Sequence, residues 1–311
     1  MQVTIRQFAE KINICGQVLF DEPMDRHTTF KVGGPADCMV IPTNSEEVKQ
    51  TLDEAHRAGL PVFVLGGGAN ILVSDAGIRG VVMDMSGLKG ITVSPPDATG
   101  TVLFGVGAGL PISDASAAAA DSGLGGLDFI YSMPGSVGGA LWMNARCYDS
   151  EISEVLESAD LIDAQGNSIH FLPGSADWAY KRSPFQNRRL AILRATFRLV
   201  LGDSSALWVR MREVQADRER KGHFAAPCAG SVFKNNREFG APSGVIIDSV
   251  GLRGRVEGGA KVSDTHANII INTGTATASD IRRLMDIVRT RVQAERGFLL
   301  EPEVILVGDW D

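Results

Sequence analysis

The sequence predicts an α+β protein built as two domains. Three observations carry that reading. The chain has 311 residues, and at roughly 150 residues per domain this length suits about two. Short apolar runs that suit strands and 3.6-period stretches that suit helices both occur along it. A run of turn formers, Gly202-Asp203-Ser204-Ser205, marks a split near residue 200. The chain carries no internal repeat and no low-complexity tract.

In chain order, residues 1–26 read as an N-terminal helix and a lead-in segment. The first well-marked helix follows. Asn44 and Glu47 have capping-box spacing, Val48, Leu52 and Ala55 share one face, and Gly59 with Pro61 stops it. Val62–Leu65 reads as a short buried strand that ends in glycines. Further strands are predicted at residues 81–85 and 102–106. An Ala-rich helix should run over 111–121, with Gly123 as its C-cap. Residues 159–163 and 168–172 flank Gln165-Gly166-Asn167 and read as a hairpin. Alternation over 191–201 suits a strand, and a charged helix is predicted over about 207–221. The last strong helix follows Thr277, with Ile281, Leu284, Met285, Val288 and Val292 on one face and Gly297 after it. A strand around 303–307 closes the chain.

Composition narrows the function classes. A hydrophobic fraction of 44% and a charged fraction of 22% are ordinary for a soluble globular chain and too apolar for a disordered one. The net charge of -7 and a pI near 5.3 argue against a nucleic-acid partner, which needs a basic surface. A local cluster of Lys and Arg can still bind an anion inside an acidic protein. Cys15, Cys38, Cys147 and Cys228 stand singly with no CxxC pair, so neither a disulfide framework nor a metal site is expected. Met1-Gln2-Val3-Thr4-Ile5-Arg6 has no apolar core of a signal peptide, and no apolar run approaches the roughly 18 residues of a membrane span. The expected setting is the cytoplasm, with no membrane partner.

Three glycine clusters point to a phosphate-bearing ligand: Gly66-Gly67-Gly68-Ala69-Asn70, Gly105-Val106-Gly107-Ala108-Gly109, and Pro134-Gly135-Ser136-Val137-Gly138-Gly139-Ala140. Successive glycines let backbone N–H groups converge on one spot without side-chain bulk. None fits GxxxxGK[ST] or GxGxxG, which argues against a P-loop ATPase and a Rossmann fold.

Six strings then carry a family resemblance. They are Thr28-Thr29-Phe30-Lys31-Val32-Gly33-Gly34-Pro35-Ala36-Asp37; Val64-Leu65 with the first glycine cluster and Ile71-Leu72-Val73-Ser74; Met133 with the third cluster and Met143-Asn144-Ala145; Ala229-Gly230-Ser231-Val232-Phe233-Lys234-Asn235; Gly258-Gly259-Ala260-Lys261-Val262 with His266-Ala267-Asn268; and Leu300-Glu301-Pro302-Glu303-Val304. Running in order from about residue 28 to 307, they resemble the UDP-N-acetylenolpyruvoylglucosamine reductases in their short form. The resemblance implies a two-subdomain FAD-binding domain of the vanillyl-alcohol-oxidase (PCMH) type over residues 27–200. It implies a smaller C-terminal α+β substrate domain over 201–311. The implied activity is reduction of an enol ether. NADPH reduces FAD, and hydride passes to the enolpyruvyl group of UDP-N-acetylglucosamine enolpyruvate, giving UDP-N-acetylmuramate for peptidoglycan. FAD would lie against Gly66, Gly67, Gly68, Ala69, Asn70, Gly107, Pro134, Gly135, Ser136, Gly138, Gly139 and Asn144. It would be held non-covalently, since none of the five histidines sits in a glycine loop. A monomer is expected.

Hydride addition to such a double bond leaves carbanion character on the neighbouring carbon, so a proton donor and a charge stabiliser are needed. The resemblance assigns the proton to Ser231 and a second role to Glu303. A serine hydroxyl is a weak acid, and Lys234 or the Lys181-Arg182 pair would supply the positive surroundings it needs. The family commonly reads Tyr-Arg-x-Ser-x-Phe, where this chain has Tyr180-Lys181-Arg182-Ser183-Pro184-Phe185. In straight register Lys181 holds the arginine's place; a local shift would bring in Arg182. The two cations are not equivalent, because lysine offers a point charge and arginine a bidentate fork. Arg146, where the family usually has Gly after Asn-Ala, and Asn236, where it often has Pro after Lys-Asn, are further departures. Tyr180, Lys221 (near Arg218 and Arg220), Asn235 and His266 are the implied substrate contacts. Two other readings stay open: an oxidase of the same flavin domain type, and a nucleotide-sugar binder that has lost catalysis, for which Lys181 is the support.

Overall fold

A computed structural model of the chain describes residues 2–174 and 178–310. Two compact units emerge. The first comprises Met1–Asp21, Asp37–Gly67 and Gly80–Gln215, and the second Glu22–Ala36, Gly68–Arg79 and Ala216–Asp311.

In the first unit, α1 (Gln2–Lys11) sets Ile5, Phe8 and Ile12 against Cys38, Val40, Ala55 and Val81. The α2 helix (Ser45–Arg57) begins at the expected cap, where the Asn44 side chain accepts from the Glu47 N–H at 3.0 Å. A four-stranded sheet has the order Gln17–Pro23, Pro35–Ile41, Ile78–Asp84, Val62–Leu65, its last two strands parallel. The strand Gln17–Pro23 falls in the stretch read as a lead-in; all its residues are half-buried or exposed, so it has no apolar alternation to betray it.

The second sheet of this unit is antiparallel along Ser168–Phe171, Leu156–Asp163, Leu190–Leu201, Thr101–Gly107 and Ile91–Val93. The expected hairpin is there, with Ala159 opposite Phe171 and Ile162 opposite Ser168. On this sheet pack α3 (Ile112–Asp121) and α4 (Val137–Trp142), burying Phe104, Phe197, Ile112 and Leu141 in one core. The third glycine cluster is therefore not all loop. Ser136 is an N-cap that accepts from the Gly139 N–H, and that starts a short helix through the glycines. Likewise α5 (Ser204–Arg220) starts inside the run read as a boundary loop, because the Asp203 side chain accepts from the Ser205 N–H at 3.0 Å. The division into units passes through α5, between Gln215 and Ala216.

The second unit holds a four-stranded antiparallel sheet, Cys228–Ser231, Ile269–Asn272, Ala260–Val262 and Val256–Glu257. With it go α6 (Ser243–Ser249) and α7 (Ala278–Arg296). Thr277 and Asp280 close a reciprocal capping box, and Gly297 ends α7 in the left-handed conformation. Ile281, Leu284, Met285, Val288 and Val292 bury together with Phe233, Ile246 and Ile270. The closing strand is Ile305–Val307, shorter than expected because the Glu303 N–H bonds instead to the Val232 carbonyl at 2.7 Å. It pairs in parallel with Ile71–Val73. Among the described residues no helix is long and apolar enough to cross a membrane.

Candidate active site

Two glycine clusters lie in contact within the first unit. An added Cβ on Gly67 would stand 2.6 Å from the Gly135 Cα, and one on Gly66 would stand 2.7 Å from the Ser136 Oγ. Only glycine permits backbones to approach this closely. The loop is stitched to its neighbours: the Val137 N–H bonds to the Leu110 carbonyl at 2.9 Å and the Gly138 N–H to that of Ala108 at 2.8 Å. Gly107 differs. It is buried in its strand, its N–H donates to Gly90 at 2.8 Å, and a Cβ there would meet the Leu88 carbonyl at 2.3 Å. Packing alone requires that glycine.

Just past α4 sits Asn144, fully buried and with φ +44°, a conformation asparagine tolerates. Its Nδ2 donates to Glu151 Oε2 at 2.8 Å and to the Ala179 carbonyl at 3.1 Å. Its Oδ1 has no partner among the described residues. Ala179 and Arg182 exchange both backbone bonds, at 3.1 and 2.9 Å, around a tight turn of Tyr180 and Lys181. Lys181 takes φ +57° there, and its Nζ lies 5.9 Å from the Tyr180 ring centroid. The Lys181 carbonyl accepts from Gln186 Nε2 at 3.1 Å, and the Ser183 Oγ donates to the Trp142 carbonyl at 2.7 Å.

In the second unit, Ser231 stands after a β-bulge. Cys228 faces Ile271 and Ser231 faces Ile269, so two residues oppose Ile270 alone, with Gly230 at φ +70°. A bulge re-aims the side chain that follows it. Glu303 is 9% exposed and its backbone is bonded to Val232, the neighbour of Ser231. The structure thus brings the serine and glutamate segments side by side. Asn70 takes part: its Nδ2 donates to the Glu303 carbonyl at 2.9 Å. Gly68 and Ala69 are tied to the same unit, where the Gly68 carbonyl accepts from the Thr29 N–H at 3.1 Å and the Ala69 carbonyl from the Thr29 hydroxyl at 3.5 Å. Lys234 reaches Glu301 at 2.6 Å.

The implied substrate contacts scatter more. Asn235 is exposed, and its Oδ1 accepts from the Ser243 N–H at 2.9 Å at the start of α6. Lys221 pairs with Asp217 at 2.6 Å. Arg218 is buried with its Nε unpartnered among the described residues, its guanidinium 5.7 Å from the Phe224 ring centroid. His223 and His266 lie 6.2 Å apart by ring centroids. Burial first, then the nearby Arg218, push the His223 imidazole down to about 4, and burial lowers His266 as well.

Two positioning groups were not singled out from the sequence. Asn268, 2% exposed, clamps Phe233 by both backbone groups, at 3.0 and 2.8 Å. It lay inside a quoted string, but only the fold shows what it holds. Glu151 carried no signal beyond its place seven residues after Asn144.

The chain is 42% identical over 308 residues to the UDP-N-acetylenolpyruvoylglucosamine reductase of Treponema denticola, covering 95% of each. It belongs to the UDP-N-acetylenolpyruvoylglucosamine reductase family. A second reductase, from Clostridium botulinum, is 39% identical over 292 residues, covering 94% of this chain and 93% of that one. The crystal structure of UDP-N-acetylenolpyruvylglucosamine reductase from Thermus caldophilus superimposes with a TM-score of 0.77 at 30% identity, covering 95% of this chain and 100% of that one. The family profile for the C-terminal domain of the reductase matches residues 222–307, and an FAD binding domain matches residues 36–171. The chain is an FAD-dependent oxidoreductase of α+β class, as the six strings implied. One of its residues fits that cofactor: the buried Asn144 Oδ1 is an acceptor in need of a donor, while Gly66 and Gly67 are required by the close packing of their backbone on Gly135 and Ser136.

Proposed function

We propose that the chain reduces UDP-N-acetylglucosamine enolpyruvate to UDP-N-acetylmuramate with NADPH as co-substrate, a step toward peptidoglycan. FAD, when bound, would supply the hydride chemistry that links NADPH to the enol ether. Ser231 donates the proton to the carbon next to the one that receives hydride. A cation, Lys181 in straight register, steadies the charge that grows on the substrate carboxylate, and Glu303 is the second catalytic group beside Ser231. Arg182 is the alternative cation. Gly66 to Asn70 and the loop from Pro134 to Gly139 hold the FAD diphosphate. Tyr180, Arg218, Lys221, Asn235 and His266 are assigned to the substrate; of the cations on α5, the buried Arg218 with its unpartnered Nε is the better suited to a diphosphate. On this reading residues 27–200 carry the FAD site and 201–311 most of the substrate contacts, in a cytoplasmic monomer.

The observation that carries this reading is the bond from Glu303 to Val232, which keeps the glutamate beside the bulge that presents Ser231. Stopped-flow on Ser231→Ala tests it. NADPH should still reduce the flavin at nearly the parent rate. Oxidation by the enolpyruvyl substrate should slow by about 10²–10⁴-fold, the usual worth of a positioned proton donor. Equal losses in both steps would make Ser231 structural. Reoxidation by oxygen with an alcohol or sugar, and no response to the enolpyruvyl substrate, would point to an oxidase instead.

A further inference from the structure

The surroundings of Arg146 give it a task. Its Nη1 lies 3.2 Å from Glu151 Oε1, and its Nη2 lies 3.5 Å from Asp149 Oδ1. Asp149 is fully exposed, so that contact is screened and weak. Glu151 is 18% exposed on its side chain and takes a second donor, Asn144 Nδ2, on its other oxygen at 2.8 Å. The carboxylate is thus held from both ends. The orientation of the Asn144 amide follows from its partners. Both groups facing Nδ2, the Glu151 carboxylate and the Ala179 carbonyl, are pure acceptors, so the nitrogen must point at them. That leaves Oδ1 turned away, buried and without a donor among the described residues. A buried amide oxygen left unmatched is costly, so its place calls for a ligand donor. Asn144 lies two residues past the C-terminal end of α4, and Ser136 caps the other end.

We propose that Arg146 and Glu151 are positioning residues. They lock the Asn144 amide so that its NH2 holds the base of the 179–182 turn, while its oxygen accepts from an N–H or hydroxyl of the bound flavin. The inference rests on the flavin reading and deepens it. Glu151→Gln is the sharp test, because it is isosteric. Gln offers one acceptor oxygen where two donors, Arg146 and Asn144, now compete. Either one contact becomes donor against donor, or the Asn144 amide turns over and presents NH2 to the flavin.

The holoproteins of the parent, Glu151→Gln, Arg146→Met and Arg146→Lys are to be compared by visible flavin spectrum and by FAD release on dilution. Glu151→Gln should shift the flavin band and weaken FAD binding at least tenfold. Arg146→Met should do the same to a lesser degree, and Arg146→Lys should recover most of the loss. A merely structural pair would lower Tm and leave spectrum and FAD affinity at parent values, and that result overturns the proposal. Were Glu151→Gln not to fold, Arg146→Met with a parent spectrum and affinity would overturn it equally. A parent protein that holds no FAD would instead sink the flavin reading, and the inference with it.

Discussion

Lys181 is a non-glycine residue at φ +57°, in a turn whose third position favours Gly or Asn. Holding a lysine there costs of order 1 kcal/mol, and strain of this kind persists where the surroundings over-determine it. Here Asn144, Ser183 and Gln186 pin the chain on both sides of the turn. The strained residue and its neighbour present their side chains from different backbone conformations, and the proposed reading gives the cationic role to Lys181. Lys181→Met should lower kcat far more than Arg182→Met, because a charge that meets the growing carboxylate charge acts in the transition state. Steady-state kinetics on the two variants decides it; a flat kcat for Lys181→Met with a collapse for Arg182→Met would reverse the assignment. Gly67 gives a second residue-scale prediction. Gly67→Ala sets a methyl 2.6 Å from the Gly135 Cα, which is backbone and cannot swing aside. FAD affinity should drop by at least tenfold, read as flavin lost on gel filtration.

Among the elements, α7 shows how much one helix end can hold. Asp280 accepts from the Thr277 N–H at 3.0 Å and from the Gly259 N–H at 3.1 Å, and it pairs with Arg283. The hydrogen bond from Thr277 leads the causes that hold its carboxyl below the usual aspartate range. The unfolded carboxyl therefore binds its proton at higher pH than the folded one. Its contribution is complete above the ordinary aspartate value and is lost as pH falls through the lower folded value. Asp280→Asn should cost about 1 kcal/mol at neutral pH, in the range of a lost cap. It should also flatten the acid limb of the stability curve, as urea titrations at neutral and acidic pH would show. An unchanged acid limb would rule Asp280 out as its source. The bulge before Ser231 belongs to the same scale: two residues against one turn a strand end into a platform.

At the scale of the whole molecule, stability is linked to pH through the imidazoles beside α5. Above the ordinary histidine value of 6.5, His223 is neutral in both folded and unfolded chains. Below it the unfolded chain takes up a proton that the folded one refuses until about 4. Stability should therefore fall from pH 6.5 toward 4 as the unfolded chain alone takes up this proton. Burial and the positive Arg218 and Lys221 oppose the proton, and Asp217 favours it weakly. His223→Gln should make the urea midpoint less sensitive to pH across that window. An equal pH slope in parent and variant would remove His223 from the account.

Local chemistry was legible along the chain. Asn44 and Thr277 announced their helices, Gly297 its end, and the apolar rows of α2 and α7 their buried faces, because caps and periodicity act over a few residues. The six strings identified the family, since each keeps side chains and glycines in a fixed local order. Long-range pairing was not legible. Nothing in Ile71-Leu72-Val73 names Ile305-Leu306-Val307 as its partner, and a half-exposed strand such as Gln17–Pro23 shows no period. Nor could spacing reveal that Asn70 holds Glu303, or that Glu151 and Arg146 set the Asn144 amide. Hydrogen-bond partners distant in sequence are chosen by how the strands register, and register is a property of the folded chain. The sequence by itself determined the family, the cofactor class and the helix ends; tertiary structure alone decided which buried polar groups among the described residues are left without a protein partner, because burial and pairing exist only once the chain has closed on itself.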